Sequence, residues 1–428
     1  MNICKSRALR NPCSAAQNIQ HFPAGILAAV LLAAPFTAES AESSVTLKQA
    51  FKEHFLIGTA VNRSMATGGA GFRRSAEQNA NDVVLVKAQF NQITAENDMK
   101  WALIHPREGK DGYDFGPADA FVNFGLSNNM YLAGHTLVWH SQTPNWVFAG
   151  TNPAPVVTNA APLAAVNTNA PGTNRFGRGR FGPGFGRYNG PRASRDELLQ
   201  RMREHIHTVV GRYRGKVKVW DVVNEAIADG PGTNVLRNSL WLEIIGPDFI
   251  AKAFQYAHEA DPDAILRYND YGLENPAKRR KLITLIKALQ EQKVPVHAIG
   301  SQAHLNVSIN FETMDQTLAE IAALGLPIHI TELDVNSAAG GQGNTGADVV
   351  NNTGATEGGL VSDADKKLAD AYTGIFRAFV KHRQSVKMVT FWGANDGNSW
   401  RARGKPLLFD GDNQPKPAFE AVIRAAAK

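Results

Sequence analysis

Thiols are nearly absent from this chain: its two cysteines, Cys4 and Cys13, both lie close to the N-terminus. Beyond that segment neither a disulfide framework nor a thiolate metal site is available, so stability must come from a hydrophobic core. Histidine does not fill the gap. His135 and His140, and His205 and His207, come in pairs, but no three or four ligands fall at zinc-like spacing. His205 and His207 lie in a predicted helix, where a spacing of two puts them on different faces. No glycine-rich stretch has phosphate-binding spacing at a strand-to-helix turn, so no metal and no cofactor is expected. Long apolar runs are also scarce. The run over 24–34 follows Lys5, Arg7 and Arg10, precedes Ala38 and Ser40, and is too short to span a bilayer stably. That order predicts a secretory signal over residues 1–40. Its removal would leave a secreted protein, extracellular or periplasmic, with no stable membrane association.

Acidic residues are missing from one region. Between Gly150 and Ala193 stand Arg175, Arg178, Arg180, Arg187 and Arg192 with no Asp or Glu, and this stretch supplies most of the net charge of +6. Outside it and the leader the chain is nearly neutral. That argues against nucleic acid as a partner and suits an uncharged polymer such as a neutral polysaccharide.

The remainder has the composition of a large soluble domain, with 43% hydrophobic and 20% charged residues in 428. Eight short β-branched or aromatic runs, at 55–61, 91–95, 131–137, 217–223, 265–268, 298–304, 328–333 and 388–392, alternate with helical spacing such as 195–213, 277–292 and 363–382. Eight β units each followed by an α segment predict an α/β fold, a single-domain (β/α)8 TIM barrel over 41–428. Two stretches depart from barrel composition. Residues 149–193 read as a low-complexity Arg, Gly, Asn and Pro insertion after the third strand, and 336–359 as a Gly, Asn and Thr-rich loop after the seventh.

Active sites of such barrels gather at the C-terminal ends of the strands. Polar and aromatic residues of this sequence concentrate there: Glu96, Asn97, His135, Trp139, Asn224, Glu225, Asn269, Gln302, His304, Glu332, Trp392 and Asn395. Trp220-Asp221-Val222-Val223-Asn224-Glu225 is an apolar strand ending in an amide and a carboxylate, and Ile328-His329-Ile330-Thr331-Glu332 delivers a second glutamate the same way. Two carboxylates across one barrel mouth are the equipment of glycoside hydrolysis, and their separation decides between retention and inversion. His304 and Asp334 stand where they can orient the second carboxylate. Trp101, Trp139, Trp146, Trp392 and Trp400 all follow strands two, three or eight, which predicts sugar-stacking faces on one rim.

These segments resemble family 10 glycoside hydrolases, the β-1,4-xylanases, in seven motifs in order. They are Thr94-Ala95-Glu96-Asn97-Asp98-Met99-Lys100-Trp101, Gly134-His135-Thr136-Leu137-Val138-Trp139-His140, Trp220 to Glu225, Tyr268-Asn269-Asp270-Tyr271, Gly300-Ser301-Gln302-Ala303-His304-Leu305, Ile330-Thr331-Glu332-Leu333-Asp334 and Phe391-Trp392-Gly393. The resemblance implies a retaining endo-1,4-β-xylanase acting on xylan or xylo-oligosaccharides, with Glu225 as acid/base and Glu332 as nucleophile. It implies that Asn224 holds the 2-hydroxyl of the reacting sugar and that His304 and Asp334 support the nucleophile. Glu96, Asn97 and Lys100 would bind the glycone side, and His135, Trp139 and Gln302 the reacting sugar. Asn269 and Tyr271 would lie on the leaving-group side, with Trp392 and Trp400 covering the glycone. A monomer is expected. The insertion at 149–193 is longer than the family pattern; it is either a tolerated solvated loop or, through its arginines, a holder of acidic side groups. Two other readings are a β-1,4-glucanase of the same fold and a sugar-binding barrel without turnover.

Overall fold

The structure is a computed structural model that describes residues 45–152, 188–337 and 362–427. The predicted leader over 1–40, most of the 149–193 insertion and most of the 336–359 loop lie outside these residues. Eight parallel strands form a ring: β1 Leu56–Val61, β2 Gln92–Ala95, β3 Tyr131–Gly134, β4 Val219–Asn224, β5 Ile265–Asp270, β6 Ala298–Ser301, β7 Ile328–Asn336 and β8 Val386–Phe391. Each pairs with its neighbour in sequence, and the ring closes where Leu56 of β1 stands opposite Met388 of β8. This is the (β/α)8 barrel that the alternation predicts. The strands read as continuous apolar runs because both faces are covered; all six residues of β4 are buried.

Helices pack outside the ring by the usual rules. Arg195–Arg212 starts at a capping box in which Ser194 and Glu197 satisfy each other's backbone N–H groups. Its buried residues Leu198, Met202, Ile206, Val209 and Val210 recur at helical spacing and face the main core. Inside the ring the layers change character from bottom to top. Ala133, Val219 and Met388 form a small apolar plug. Asp221 and Arg267, each the third residue of its strand, and His329, the second of β7, are buried polar groups. The carboxylates Glu225 and Glu332 follow at the mouth.

Two predicted strands are interrupted, and both interruptions serve the mouth. The run 131–137 leaves the ring after Gly134, and Val138–Trp139 then pairs with the upper part of β4, setting Trp139 opposite Asn224. The run 298–304 breaks after Ser301 and resumes as His304–Asn306 beside β7, with His304 opposite Asp334. Between them Ala303 takes a left-handed backbone (φ 59°), a turn that lets Gln302 and His304 both reach the cleft.

The ends of the 149–193 insertion close on each other. Gly150 N–H donates to Pro191 O at 3.1 Å, and Ala193 N–H to Phe148 O at 2.9 Å. Arg201 Nη1 gathers the carbonyls of Trp146, Val147 and Ala149 at 3.1, 3.0 and 2.6 Å beneath this neck. Arg192 is buried and pairs with Glu243 at 3.6 Å, so it belongs to the neck and is not offered to a ligand.

Candidate active site

Strand β4 carries Asn224 and Glu225 to the mouth, and β7 carries Glu332. All three are buried, at 2%, 3% and 5% exposure, which makes hydrogen-bond partners obligatory for them. Glu225 leaves its strand with a left-handed backbone (φ 58°), and its N–H donates to Asn269 O at 2.9 Å. Both of its carboxylate oxygens accept from fixed N–H groups: Trp139 Nε1 donates to Oε2 and Gln302 Nε2 to Oε1, each at 2.9 Å. Pairing of β7 with β8 slips register between Ile330 and Leu333, an irregularity that flanks Glu332 and re-aims its side chain. Glu332 Oε1 accepts from Asn269 Nδ2 at 2.9 Å, and Oε2 lies 3.3 Å from His304 Nε2.

The two carboxylates are joined by amides. Gln302 Nε2 reaches both Glu225 Oε1 at 2.9 Å and Asn224 Oδ1 at 3.3 Å, and Asn269 Nδ2 reaches both Asn224 Oδ1 and Glu332 Oε1 at 2.9 Å. Asn224 thereby spends its oxygen on the protein, while its Nδ2 is buried with no protein partner. That donor is free for a ligand hydroxyl.

Charge is arranged around Glu332. His304 Nδ1 stands 3.1 Å from Asp334 Oδ2, which also accepts from Trp400 Nε1 at 2.7 Å, while Arg401 Nη1 donates to Asp334 Oδ1 at 2.9 Å. Burial pushes the His304 imidazole down, but Asp334 and Glu332 outweigh it and raise it to about 9, so this ring is a cation at neutral pH. Burial pushes Glu332 up; the hydrogen bond from His304 and the electrostatic pull of the His135 and His304 side chains more than offset it, leaving Glu332 below the usual glutamate range. An ionised, immobilised carboxylate results.

Beside the pair, Lys100 Nζ donates to Asn97 Oδ1 at 2.9 Å, Asn97 Nδ2 donates to Glu96 Oε1 at 3.1 Å, and Lys100 Nζ lies 5.2 Å over the Trp139 ring. Burial lowers Lys100, against the charges of Glu332, Glu96, Glu225 and Asp98. His135 is held from below by Asp221 (Nδ1 to Oδ2 3.0 Å) and meets Trp392 edge-on, with ring centroids 5.4 Å apart. Among the described residues no group of three or more His, Cys, Asp or Glu is placed to hold a metal ion.

Comparison with known proteins shows the family. The sequence pattern of glycosyl hydrolase family 10 matches residues 46–166 and 183–425. The chain belongs to that family. Among family 10 relatives, the endo-1,4-beta-xylanase of Geobacillus stearothermophilus is 37% identical over 388 residues, 88% of this chain and 98% of the relative. The beta-1,4-xylanase of Dictyoglomus thermophilum is 36% identical, over 89% of this chain and 90% of its own. The crystal structure of xylanase XynB from Paenibacillus barcinonensis superposes with a TM-score of 0.70 at 32% identity, covering 90% of this chain and 99% of that one. An intracellular xylanase of Thermoanaerobacterium saccharolyticum, solved as a mutant with xylotetraose, gives 0.68 at 34% identity over 88% and 97%.

The family 10 frame gathers Glu96, Asn97, Lys100, His135, Trp139, Asn224, Glu225, Gln302, His304, Glu332, Asp334, Trp392 and Trp400 around one cleft. Other expectations need correction. Asn269 is wholly buried and spends its amide on Asn224, Glu332 and, through Oδ1, Thr331 (2.7 Å); in the structure it braces Glu332 from within the barrel. Asp334 needs no such correction: it touches His304, not Glu332, and so acts through that histidine, as the resemblance implies. Tyr271 is closed in: its hydroxyl donates to Asp229 at 2.6 Å and accepts from Arg237 at 2.7 Å, and Lys278 Nζ covers the ring at 3.3 Å. Trp101 and Trp146 are not cleft faces. Trp101 stacks on His205 at 3.7 Å and meets Trp146 edge-on, both within the packing around the helix Arg195–Arg212. A position after a strand fixes the end of the barrel, not the side to which a ring turns. Sequence reasoning missed Arg401, Arg237 and Lys278; their signal, a cation seven to twelve residues beyond a strand-end motif, is too common to stand out.

Proposed function

We propose that this protein is a retaining endo-1,4-β-xylanase that cleaves internal bonds of xylan by double displacement. The observation that carries the reading is the amide chain from Glu225 through Gln302, Asn224 and Asn269 to Glu332, which fixes two buried carboxylates in one cleft. In the first step the Glu225 carboxylic acid gives its proton to the glycosidic oxygen while the Glu332 carboxylate attacks the anomeric carbon. The bond to the leaving sugar breaks and a covalent glycosyl-enzyme forms. In the second step Glu225, now a carboxylate, takes a proton from water, whose oxygen displaces Glu332 and restores the starting configuration. Trp139 and Gln302 hold both oxygens of Glu225 in place through both steps. The free Asn224 Nδ2 suits the 2-hydroxyl, a contact that strengthens as the ring flattens toward the oxocarbenium ion. His304, charged between Asp334 and Glu332, keeps the nucleophile ionised.

Xylan as the substrate is supported by the xylanase names of the relatives and by the xylotetraose complex of the Thermoanaerobacterium enzyme. The test is hydrolysis of xylo- beside cello-oligosaccharides, with product anomers followed by NMR from the first turnovers. Internal cleavage of the xylo-series with initial β-anomers is expected. Initial α-anomers would overturn the roles of the two glutamates, preference for the cello-series would make the enzyme a glucanase, and cleavage of neither would leave a sugar-binding barrel. Export rests on the leader composition over 1–40, and N-terminal sequencing of protein recovered from the culture medium and periplasm tests it. A monomer in sedimentation completes the reading.

A further inference from the structure

Below the catalytic pair the barrel interior holds a guanidinium that the chemistry above does not use. Arg267 on β5 is 1% exposed. Its Nε donates to Asp221 Oδ1 at 2.6 Å, and its Nη1 lies 3.1 Å from His329 Nδ1. Burial and the Arg267 charge push His329 down to about 3, so that ring is neutral and its Nδ1 can accept. Burial alone would raise Asp221, but Arg267 and His135 hold it at about 2. The second oxygen of Asp221 is left for His135, whose Nδ1 is 3.0 Å away and must carry the proton, because an ionised carboxylate only accepts. Arg267, Asp221 and His135 therefore form one continuous line from the barrel axis to the cleft.

Room has been made for that line. Gly300 on β6 stands opposite Asn269, and a Cβ there would lie 2.4 Å from Asn269 Oδ1 and 3.2 Å from Arg267 Cδ. The same missing side chain admits the arginine stem and the amide that braces Glu332. Stability is a poor account of the arginine, since apolar replacement of a buried ion pair is often neutral or stabilising.

We propose that Arg267 is a positioning residue for hydrolysis: it fixes Asp221, which fixes His135 against the reacting sugar, and its stem backs Asn269 beside the nucleophile. The proposal rests on the xylanase reading, in which His135 touches that sugar. Arg267→Met keeps the length of the stem and removes the fork. Its kcat on xylotetraose, counted per titrated active site, should fall about 10- to 100-fold while KM moves less than about threefold, because contacts realised in the transition state are lost. Arg267→Lys keeps the charge and should recover part of the loss. Asp221→Asn cuts the line one link higher, so the double variant should lose no more than the worse single one. An Arg267→Met enzyme with unchanged kcat, or additive losses in the double variant, overturns the proposal. If Arg267→Met does not fold, Arg267→Lys and Asp221→Asn decide, and kcat within twofold of wild type in both overturns it. A wild-type enzyme that prefers cellotetraose moves the same measurements to that substrate; one that cleaves neither sinks the functional reading and this inference with it.

Discussion

Two buried histidine clusters in this barrel have opposite characters. In the cleft, His304 lies between Asp334 and Glu332 and is raised to about 9. On the outer wall, His205 stacks on Trp101 at 3.7 Å and meets His105 through Nδ1 at 3.4 Å, and burial with no carboxylate partner holds it well below 6.5. Both rings are shut away from water. What separates them is the partner: a carboxylate within hydrogen-bond reach turns burial into a fixed charge, whereas an aromatic face leaves a neutral packing piece. The proposed mechanism uses the first kind, and the wall of the barrel uses the second.

The comparison is tested most severely at the carboxylates. Glu332→Ala should cut turnover of xylo-oligosaccharides by roughly four orders of magnitude or more. Glu225→Ala should instead spare the first step on aryl xylosides with good leaving groups and slow release of the intermediate, seen as a burst in stopped-flow absorbance. Equal losses in both variants on such a substrate would remove the distinction between their roles. One layer out, Asp334→Asn withdraws the charge that holds His304 protonated. Its kcat should fall about 10- to 100-fold, and the alkaline limb of its pH–rate profile should move below that of the wild type.

On the wall, Trp101→Phe should cost about 1–3 kcal/mol of stability by denaturant unfolding and leave kcat and KM unchanged. A raised KM would return Trp101 to the sugar-binding surface. The smallest effect is a pH dependence of stability with two signs. His205 and His329 have folded values below their unfolded 6.5, so their contribution is complete above pH 6.5 and declines as pH falls, for His329 down to about 3. His304 contributes fully below 6.5, and that contribution is lost as pH rises through about 9. Urea midpoints at pH 5, 7 and 9 should therefore be highest near 7.

Much of this was legible in the sequence. Val219 to Val223 and Ile328 to Ile330 are buried on both faces and so read as strands, and a glutamate closing each such run marks the mouth. The direction of a side chain within a layer was less legible. Trp139 and Trp101 both follow a strand, yet the first reaches Glu225 and the second leans on a helix, because the neighbours that decide this lie 86 and about 100 residues away. Asn269 looks like a surface amide in sequence; only its register opposite Gly300 shows that it points into the barrel. Arg267 gave no signal at all, since an arginine in a strand is ordinarily a solvent-facing residue.

The left-handed backbone of Glu225 carries a different kind of consequence. Glycine adopts that conformation freely, whereas a residue with a Cβ is held there at some cost. Glu225, the proposed acid, therefore sits where a glycine would relieve the backbone but would leave the buried donors of Trp139 and Gln302 without their partner. Variants of this chain screened on xylan should never contain Glu225→Gly, while a library screened only for heat resistance should admit it to the extent that relief of the backbone offsets the two hydrogen bonds lost. The divergence of the two populations at one codon would separate what the fold favours from what the reaction demands.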